Sequence, residues 1–317
     1  EFRRVLFRSS GTQALIFALQ ARDPDRKPKG TLIPAVSFVA TLNATQAINE
    51  YTAVCDVDFA GLIDLSTVNE PLNNNIDTVM YVNLFGNTID YDKFRITTEF
   101  FNDDMYIIED AAQSFGAKYK GIPSGKMGTV SVLSFDPTKN LNNYGSGGMV
   151  LVDNLADAKF VKDLRDNGKA NDHDIPGTNS KMSESDCAQM LIKLKYFNKW
   201  QQRRTEIAEH YNKELENFVD IPKPTPGCTH AWHKYVIKCS DRRALQHHLS
   251  LIGIETKVHY DRPLYEYSVG YPYINYASEL YRQASAFCSE CLSLPIYPEL
   301  TDLEVERVVE QVKEFFY

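Results

Sequence analysis

Long uncharged apolar runs are missing from this chain. No stretch approaches the roughly 18 such residues that a membrane-spanning helix needs, so no membrane partner is expected. Positive charge is short as well. The sequence has 34 Lys and Arg against 42 Asp and Glu, a formal net charge of -8. With no Lys/Arg cluster to neutralise phosphates, nucleic acid is not an expected partner. Cysteine is sparse, at six residues. Only Cys288 and Cys291 form a C-x-x-C pair, and neither a second pair nor suitably spaced histidines accompany it, so no metal site is expected. His230 and His233, three apart in a segment leading into a strand, make a poor metal pair. Scattered reduced thiols fit a cytoplasmic protein. Gly145, Gly147 and Gly148 suggest a tight turn, and the absence of a following G-K-S/T argues against a nucleotide loop. No internal repeat or low-complexity tract is present.

What remains is the composition of a globular chain, 43% hydrophobic and 24% charged over 317 residues. That length suffices for a large domain with a buried core plus a smaller one. The opening nonapeptide EFRRVLFRS lacks the apolar stretch and cleavage site of a secretory signal. It matches the translation of a common sequencing adapter. Residues 1–9 are therefore expected to be adapter-derived, to pack poorly and to form few specific hydrogen bonds. The natural segment before Ser10 is expected to be missing.

From Ser10 to about Asn154, helices alternate with short apolar strands. Helices are expected at Thr12–Ala21 and Phe38–Asn49. Strands are expected at Thr31–Ile33, Ala53–Val57, Val79–Leu84, Tyr106–Ile108, Val130–Phe135 and Gly148–Val152. This alternation predicts an α/β unit with a mostly parallel sheet covered on both faces. Residues 183–218 read as long helix, with Cys187, Met190, Leu191, Leu194 and Phe197 on one face. Pro222, Pro224 and Pro226 then mark a boundary. The expected division is 10–218 for the large domain and 219–317 for a small α+β domain. The latter has strands near Lys234–Lys238, Thr256–His259 and Leu292–Leu294, and helices near Ala244–Leu251 and Leu303–Phe316.

One combination of residues has a chemical meaning. A pyridoxal 5′-phosphate (PLP) site needs an amine to bond the aldehyde and a carboxylate at the pyridine nitrogen. It also needs an anion cup at a helix N-terminus and a flat side chain on the ring face. In an α/β sheet these groups belong just past the carboxyl ends of strands. Lys139 in SFDPTKN follows the Val130–Phe135 strand. Asp110 in IIEDAAQSFGA ends the Tyr106–Ile108 strand. Ser10-Gly11-Thr12 precedes a helix, and Phe38 follows a strand in PAVSFVATLNA. Taken one at a time, a surface lysine, two helix caps and a core phenylalanine are the commoner meanings.

The blocks SSGTQALIFAL, PAVSFVATLNA, VNLFGN, IEDAAQSFGAKYKG, SFDPTKNLNNYGSGGMV, GTNSKMSE and LSLPIYPELTD occur in this order. Together they resemble the DegT/StrS family of sugar aminotransferases over essentially Ser10–Tyr317. The resemblance implies the type I PLP aminotransferase fold. It also implies amino transfer, with glutamate as the expected donor, to a keto group of a nucleotide-linked sugar. Lys139 then matches the covalent cofactor lysine and the catalytic proton carrier. Asp110 matches the pyridine partner, Gln113 the neighbour of the ring hydroxyl, and Phe38 the stacking position. Gly11, Thr12 and Ser134 match phosphate contacts. Asn179 matches an Asn that reaches the neighbouring subunit's cofactor phosphate, which implies a homodimer with shared sites. Asp136 departs from the aromatic residue or His common at its position. His259 lies in a stretch near the family's active site, although a packed or surface histidine is an equal reading. Two rivals carry less. A sugar dehydratase would replace the lysine with His, and a regulatory binding protein on this fold would need neither Lys139 nor Asp110.

Overall fold

The computed structural model describes residues 3–22, 29–67, 76–101, 104–270 and 281–317. Its centre is a sheet of seven strands: β1 (Arg4–Arg8), β2 (Thr31–Pro34), β3 (Thr52–Cys55), β4 (Thr78–Val82), β5 (Tyr106–Asp110), β8 (Val130–Ser134) and β9 (Gly148–Val152). The spatial order is β1-β9-β8-β5-β4-β2-β3. The pairs β2/β3, β2/β4, β4/β5 and β5/β8 are parallel, whereas β8/β9 and β1/β9 are antiparallel. The central strands are buried on both faces, and β2, β3, β4 and β8 are buried at every position. This is why they read as continuous apolar runs rather than as alternating ones. A small sheet of β6 (Lys118–Tyr119), β7 (Ile122–Pro123) and β10 (Cys228–Thr229) lies apart.

Helix α1 (Gly11–Gln20) packs on β8 and β9 and touches α2 (Ala40–Ala47). Its Leu15, Phe17 and Leu19 are buried, each side chain worth about 1.5–3 kcal/mol of transfer free energy. Helices α3 (Tyr91–Phe101) and α4 (Leu155–Arg165) follow β4 and β9. The long helical stretch resolves into α5 (Glu184–Leu194) and α6 (Phe197–Leu215). A second core forms where Ile207, Tyr211 and Leu215 of α6 meet residues of α7 (Arg242–Leu251), α9 (Asp302–Phe315), β11 (Tyr235–Lys238) and β12 (Cys291–Leu294). The remaining helix, α8 (Arg282–Glu290), instead sends Phe287 and Cys288 into the large core.

Three sequence expectations are corrected. Thr256–His259 forms no strand and contributes only an isolated bridge, Lys257 to Ser293. The apolar face expected across α5 is not buried, since Leu191 is 65% and Leu194 47% exposed while Met190 is covered. Periodicity marks a face that needs covering, but it does not say whether the same chain covers it. Residues 3–9 do not pack poorly. β1 pairs with β9 from Arg4↔Val152 to Arg8↔Gly148, and Leu6 and Arg8 are buried. Arg3 bonds Asp153 and the Ser131 hydroxyl, and Ser9 N–H donates to the Ser180 carbonyl at 3.0 Å. An open sheet edge offers a row of backbone donors and acceptors to any extended apolar segment, and Val5-Leu6-Phe7 meets that modest requirement. The fit is imperfect at Arg8. Among the described residues its Nε has no hydrogen-bond partner, and burial, then Arg165, lowers its pKa to about 9.

Candidate active site

Three strand ends and one helix N-terminus converge on a cavity of about 460 Å³. Its lining includes Gly11, Thr12, Phe38, Asp110, Gln113, Ser134 and Lys139. Seven of the eight predicted site residues are thus brought together. The eighth, Asn179, is exposed and lies outside this lining.

Strand β5 sorts its two carboxylates by pleat, because neighbouring side chains point to opposite faces. Asp110 faces the cavity, where the Ala112 N–H donates to Oδ1 at 3.0 Å and the Thr41 hydroxyl reaches Oδ2 at 3.5 Å. Thr41 is held in turn by Ser37, 2.8 Å away. Burial raises the Asp110 pKa to about 6, against the pull of the Ala112 N–H and Lys139. Glu109 turns to the other side as a structural hub. It accepts from Asn83, Ser124, the N–H groups of Gly125 and Met127, and Ser131, at 2.7–2.9 Å. Sequence alone could not divide the Glu-Asp pair between these roles.

Lys139 sits in the loop after β8. Asp136 shapes that loop by accepting from the Thr138 N–H and hydroxyl at 3.0 and 2.7 Å, while Lys139 N–H donates to the Asp136 carbonyl. Burial lowers the Lys139 pKa, and Asp110 and Asp136 oppose it. The effect favours a neutral, nucleophilic amine.

At the start of α1, Ser10 Oγ accepts from Gln13 N–H at 3.1 Å and the Ser10 carbonyl from Ala14 N–H. Gly11 and Thr12 precede these capped positions, so their N–H groups are left to the positively polarised end of the helix. Only glycine fits at 11, because a Cβ there would lie 2.9 Å from both Cβ and Oγ of Ser134. Helix end and strand end are thereby drawn together around one small space.

Phe38 is 52% exposed at the cavity and lies 6.2 Å from the Tyr260 ring. Gln113 is locked at both ends: its Oε1 accepts from Phe85 N–H at 3.0 Å and its Nε2 donates to Tyr260 Oη at 3.1 Å. Tyr260, Thr41 and Ser37 are site residues that sequence reasoning missed. Nothing local sets them apart, and their place depends on long-range packing. His259 does line the cavity. Its Nδ1 lies 2.8 Å from the Ser293 hydroxyl, and burial, then Lys234, lowers its pKa to about 3. His233 is buried against Asn140 at 3.2 Å. Among the described residues no cluster of His, Cys, Asp and Glu could hold a metal, and all six cysteines are free.

The site meets the demands of PLP on its own terms. Among the described residues no cation is bonded to the buried Asp110 carboxylate, a largely buried amine faces the same cavity, and a helix end supplies anion-binding donors beside a glycine-only contact.

The family model described as "DegT/DnrJ/EryC1/StrS aminotransferase family" matches residues 3–313. The chain belongs to this family. Among curated relatives of this DegT-family chain is a dTDP-3-amino-3,6-dideoxy-alpha-D-galactopyranose transaminase of Aneurinibacillus thermoaerophilus. It is 30% identical, over 98% of this chain and 85% of the relative. Another, of Geobacillus stearothermophilus, is named a pleiotropic regulatory protein. It is 31% identical, over 97% of this chain and 83% of the relative. Among solved structures, NtdA of Bacillus subtilis with bound cofactor PMP superposes with a TM-score of 0.87 at 27% identity. The match covers 99% of this chain and 73% of that one. The DegT-family fold is that of the PLP aminotransferases, as the sequence motifs implied.

Proposed function

We propose that this DegT-family chain is a PLP-dependent aminotransferase that moves an amino group from an amino-acid donor, glutamate by expectation, to a keto carbon of a nucleotide-linked sugar. The observation that carries this reading is the convergence of Lys139, Asp110 and the N-terminus of α1 on one cavity. The cofactor, when bound, supplies an electron sink for the carbon that gains or loses the amine. Asp110 would keep a proton on the pyridine nitrogen. Gln113, fixed by Phe85 and Tyr260, would face the ring hydroxyl, and Phe38 would cover a ring face. Gly11, Thr12 and Ser134 would hold the phosphate. Lys139 would supply the amine that holds the cofactor, with loss of water, and as a free amine would carry the proton at the substrate carbon.

We further propose a homodimer in which Asn179 completes the partner's phosphate site. Its exposure away from its own cavity supports this. So does the uncovered row Leu191, Ile192, Leu194 and Tyr196 nearby in sequence, a patch of the kind that marks an interface. Residues 10–218 and 219–317 then serve as cofactor-binding and smaller units, with α6 packing Phe197 near Leu133 and Phe135 and placing Ile207 and Tyr211 in the second core. Among the described residues no helix is long and apolar enough to cross a membrane; we propose a cytoplasmic location.

The regulatory name of one relative supports a second reading, a non-catalytic binder. Addition of L-glutamate to the PLP-loaded protein separates the two. The aminotransferase reading expects the visible absorption band to convert to the amine form of the cofactor. A band that glutamate leaves unchanged would favour the binder.

A further inference from the structure

A second cavity, of about 430 Å³, adjoins the first and shares His233, Lys234, Lys257 and His259 with it. These four residues line both spaces, so a ligand longer than one cavity must pass them. Burial keeps both histidines neutral, with pKa values pushed below the ordinary range. The positive charge at the junction therefore belongs to the two lysines. Lys234 extends from the residue before β11, where its N–H donates to the Phe85 carbonyl. Among the described residues no ion pair engages its ammonium group, and the lysines at 139 and 257 both act on it unfavourably. Lys257 is anchored by the backbone bridge to Ser293, and its side chain lies 3.3 Å from Glu255, with both side chains mostly exposed. The other carboxylate of the second cavity, Glu304, is occupied by the N–H and hydroxyl of Thr301 at 2.8 and 2.7 Å. On the first side, Asp136 is held by Thr138 and Asp110 lies at the cofactor end. The junction thus presents cations in excess, Lys234 half-buried and Lys257 mostly exposed, beside a space too large for a small amino donor alone.

We propose that Lys234 and Lys257 form the diphosphate-binding subsite for the sugar substrate, with the sugar directed toward Lys139 and the nucleoside into the second cavity. This rests on the aminotransferase reading above and adds the residues that select an anionic, nucleotide-linked sugar. The donor's carboxylate has the same chemistry and is the competing occupant. The two adjoining cavities, of about 430 and 460 Å³, favour the diphosphate, because an anion carried on a short amino acid would leave the second cavity without a role.

The experiment uses the PLP-loaded full chain and follows two readouts. Binding of inorganic pyrophosphate, UDP, dTDP and GDP is measured by calorimetry, and the dependence of the absorption band on L-glutamate by titration. Lys234→Met keeps the aliphatic stem and removes the charge. It should weaken binding of the diphosphates that the wild type takes up by about tenfold or more, the scale of one charge-assisted hydrogen bond. Lys234→Arg should restore most of the affinity. Lys257→Met, at an exposed site, should weaken the same ligands and serves if Lys234→Met does not fold. The glutamate titration should shift less than diphosphate binding does in all three variants. Diphosphate affinity equal in wild type and variants, or absent from the wild type, would overturn the subsite. A variant that loses glutamate response while keeping diphosphate affinity would overturn it in favour of the donor carboxylate. Failure of the wild type to respond to glutamate would strike the aminotransferase reading, while diphosphate binding still reported on the subsite.

Discussion

Asp110 should cost the cofactor-free protein stability. Burial raises its pKa from 3.8 to about 6, and this gap of about two pH units corresponds to roughly 3 kcal/mol at 1.36 kcal/mol per unit. The direction follows from which form the fold disfavours. Above pH 6 the group is ionised in both folded and unfolded chains, and the folded state bears the whole penalty. As pH falls from about 6 toward 3.8 the folded carboxyl takes up its proton first, and the penalty disappears. Asn at 110 keeps the shape and the acceptor for Ala112 N–H without the charge. Asp110→Asn should therefore raise the stability of the cofactor-free protein at pH 8, by up to about 3 kcal/mol or about 3–6 °C in melting temperature. It should change stability little at pH 4. The same variant should lose most amino transfer, because the pyridine nitrogen loses its charge partner. Thermal melts of wild type and variant at pH 8 and pH 4, with turnover measured separately, provide the assay. Equal or lower stability of the variant at pH 8 would refute the claim that a penalised charge is held ready for a cation.

Arg8→Leu should stabilise the chain by about 1–3 kcal/mol, since a buried guanidinium whose Nε has no partner among the described residues gives way to an apolar side chain; a urea melt showing destabilisation would contradict this. Gly11→Ala should weaken PLP retention, because its Cβ would meet Ser134 at 2.9 Å. Adding Ser134→Gly should recover part of the loss, and a single variant with unchanged retention would sink the close-contact argument. Asn179→Ala should lower PLP retention while leaving the covalent link at Lys139 intact, as judged by dialysis followed by spectroscopy. A cofactor-saturated, fully active monomer would remove the shared site.

Much of the fold was legible because buried parallel strands advertise themselves as short apolar runs, and β2, β4, β8 and β9 lie within two residues of their expected bounds. The cofactor ligands were legible because they occur at strand ends and a helix start, in blocks whose order is distinctive. Less legible was anything decided by distant partners. Tyr260 enters the site from a segment 147 positions after Gln113, through a hydrogen bond to that residue and a ring contact with Phe38. The Thr256–His259 stretch has strand-like residues but only one bridge to Ser293, so its extended shape lines cavities instead of building a sheet. The N-terminal segment shows the converse. Pairing along an open edge uses backbone donors and acceptors that nearly every residue carries, so composition could not foretell whether residues 4–8 would pair.

The central claim is that Lys139 is the amine that bonds the cofactor, and the neighbouring lysines make the test stringent. Lys234 and Lys257 line the same cavity, and burial lowers the pKa of Lys234 to about 8, which leaves it a competent nucleophile as well. Borohydride reduction of the PLP-loaded protein, followed by proteolysis and mass mapping, identifies the bonded residue directly. The pyridoxyl adduct is expected on the peptide containing Lys139, and it should disappear in Lys139→Ala. An adduct on Lys234 or Lys257 in the wild type, or one that persists undiminished in Lys139→Ala, would contradict it.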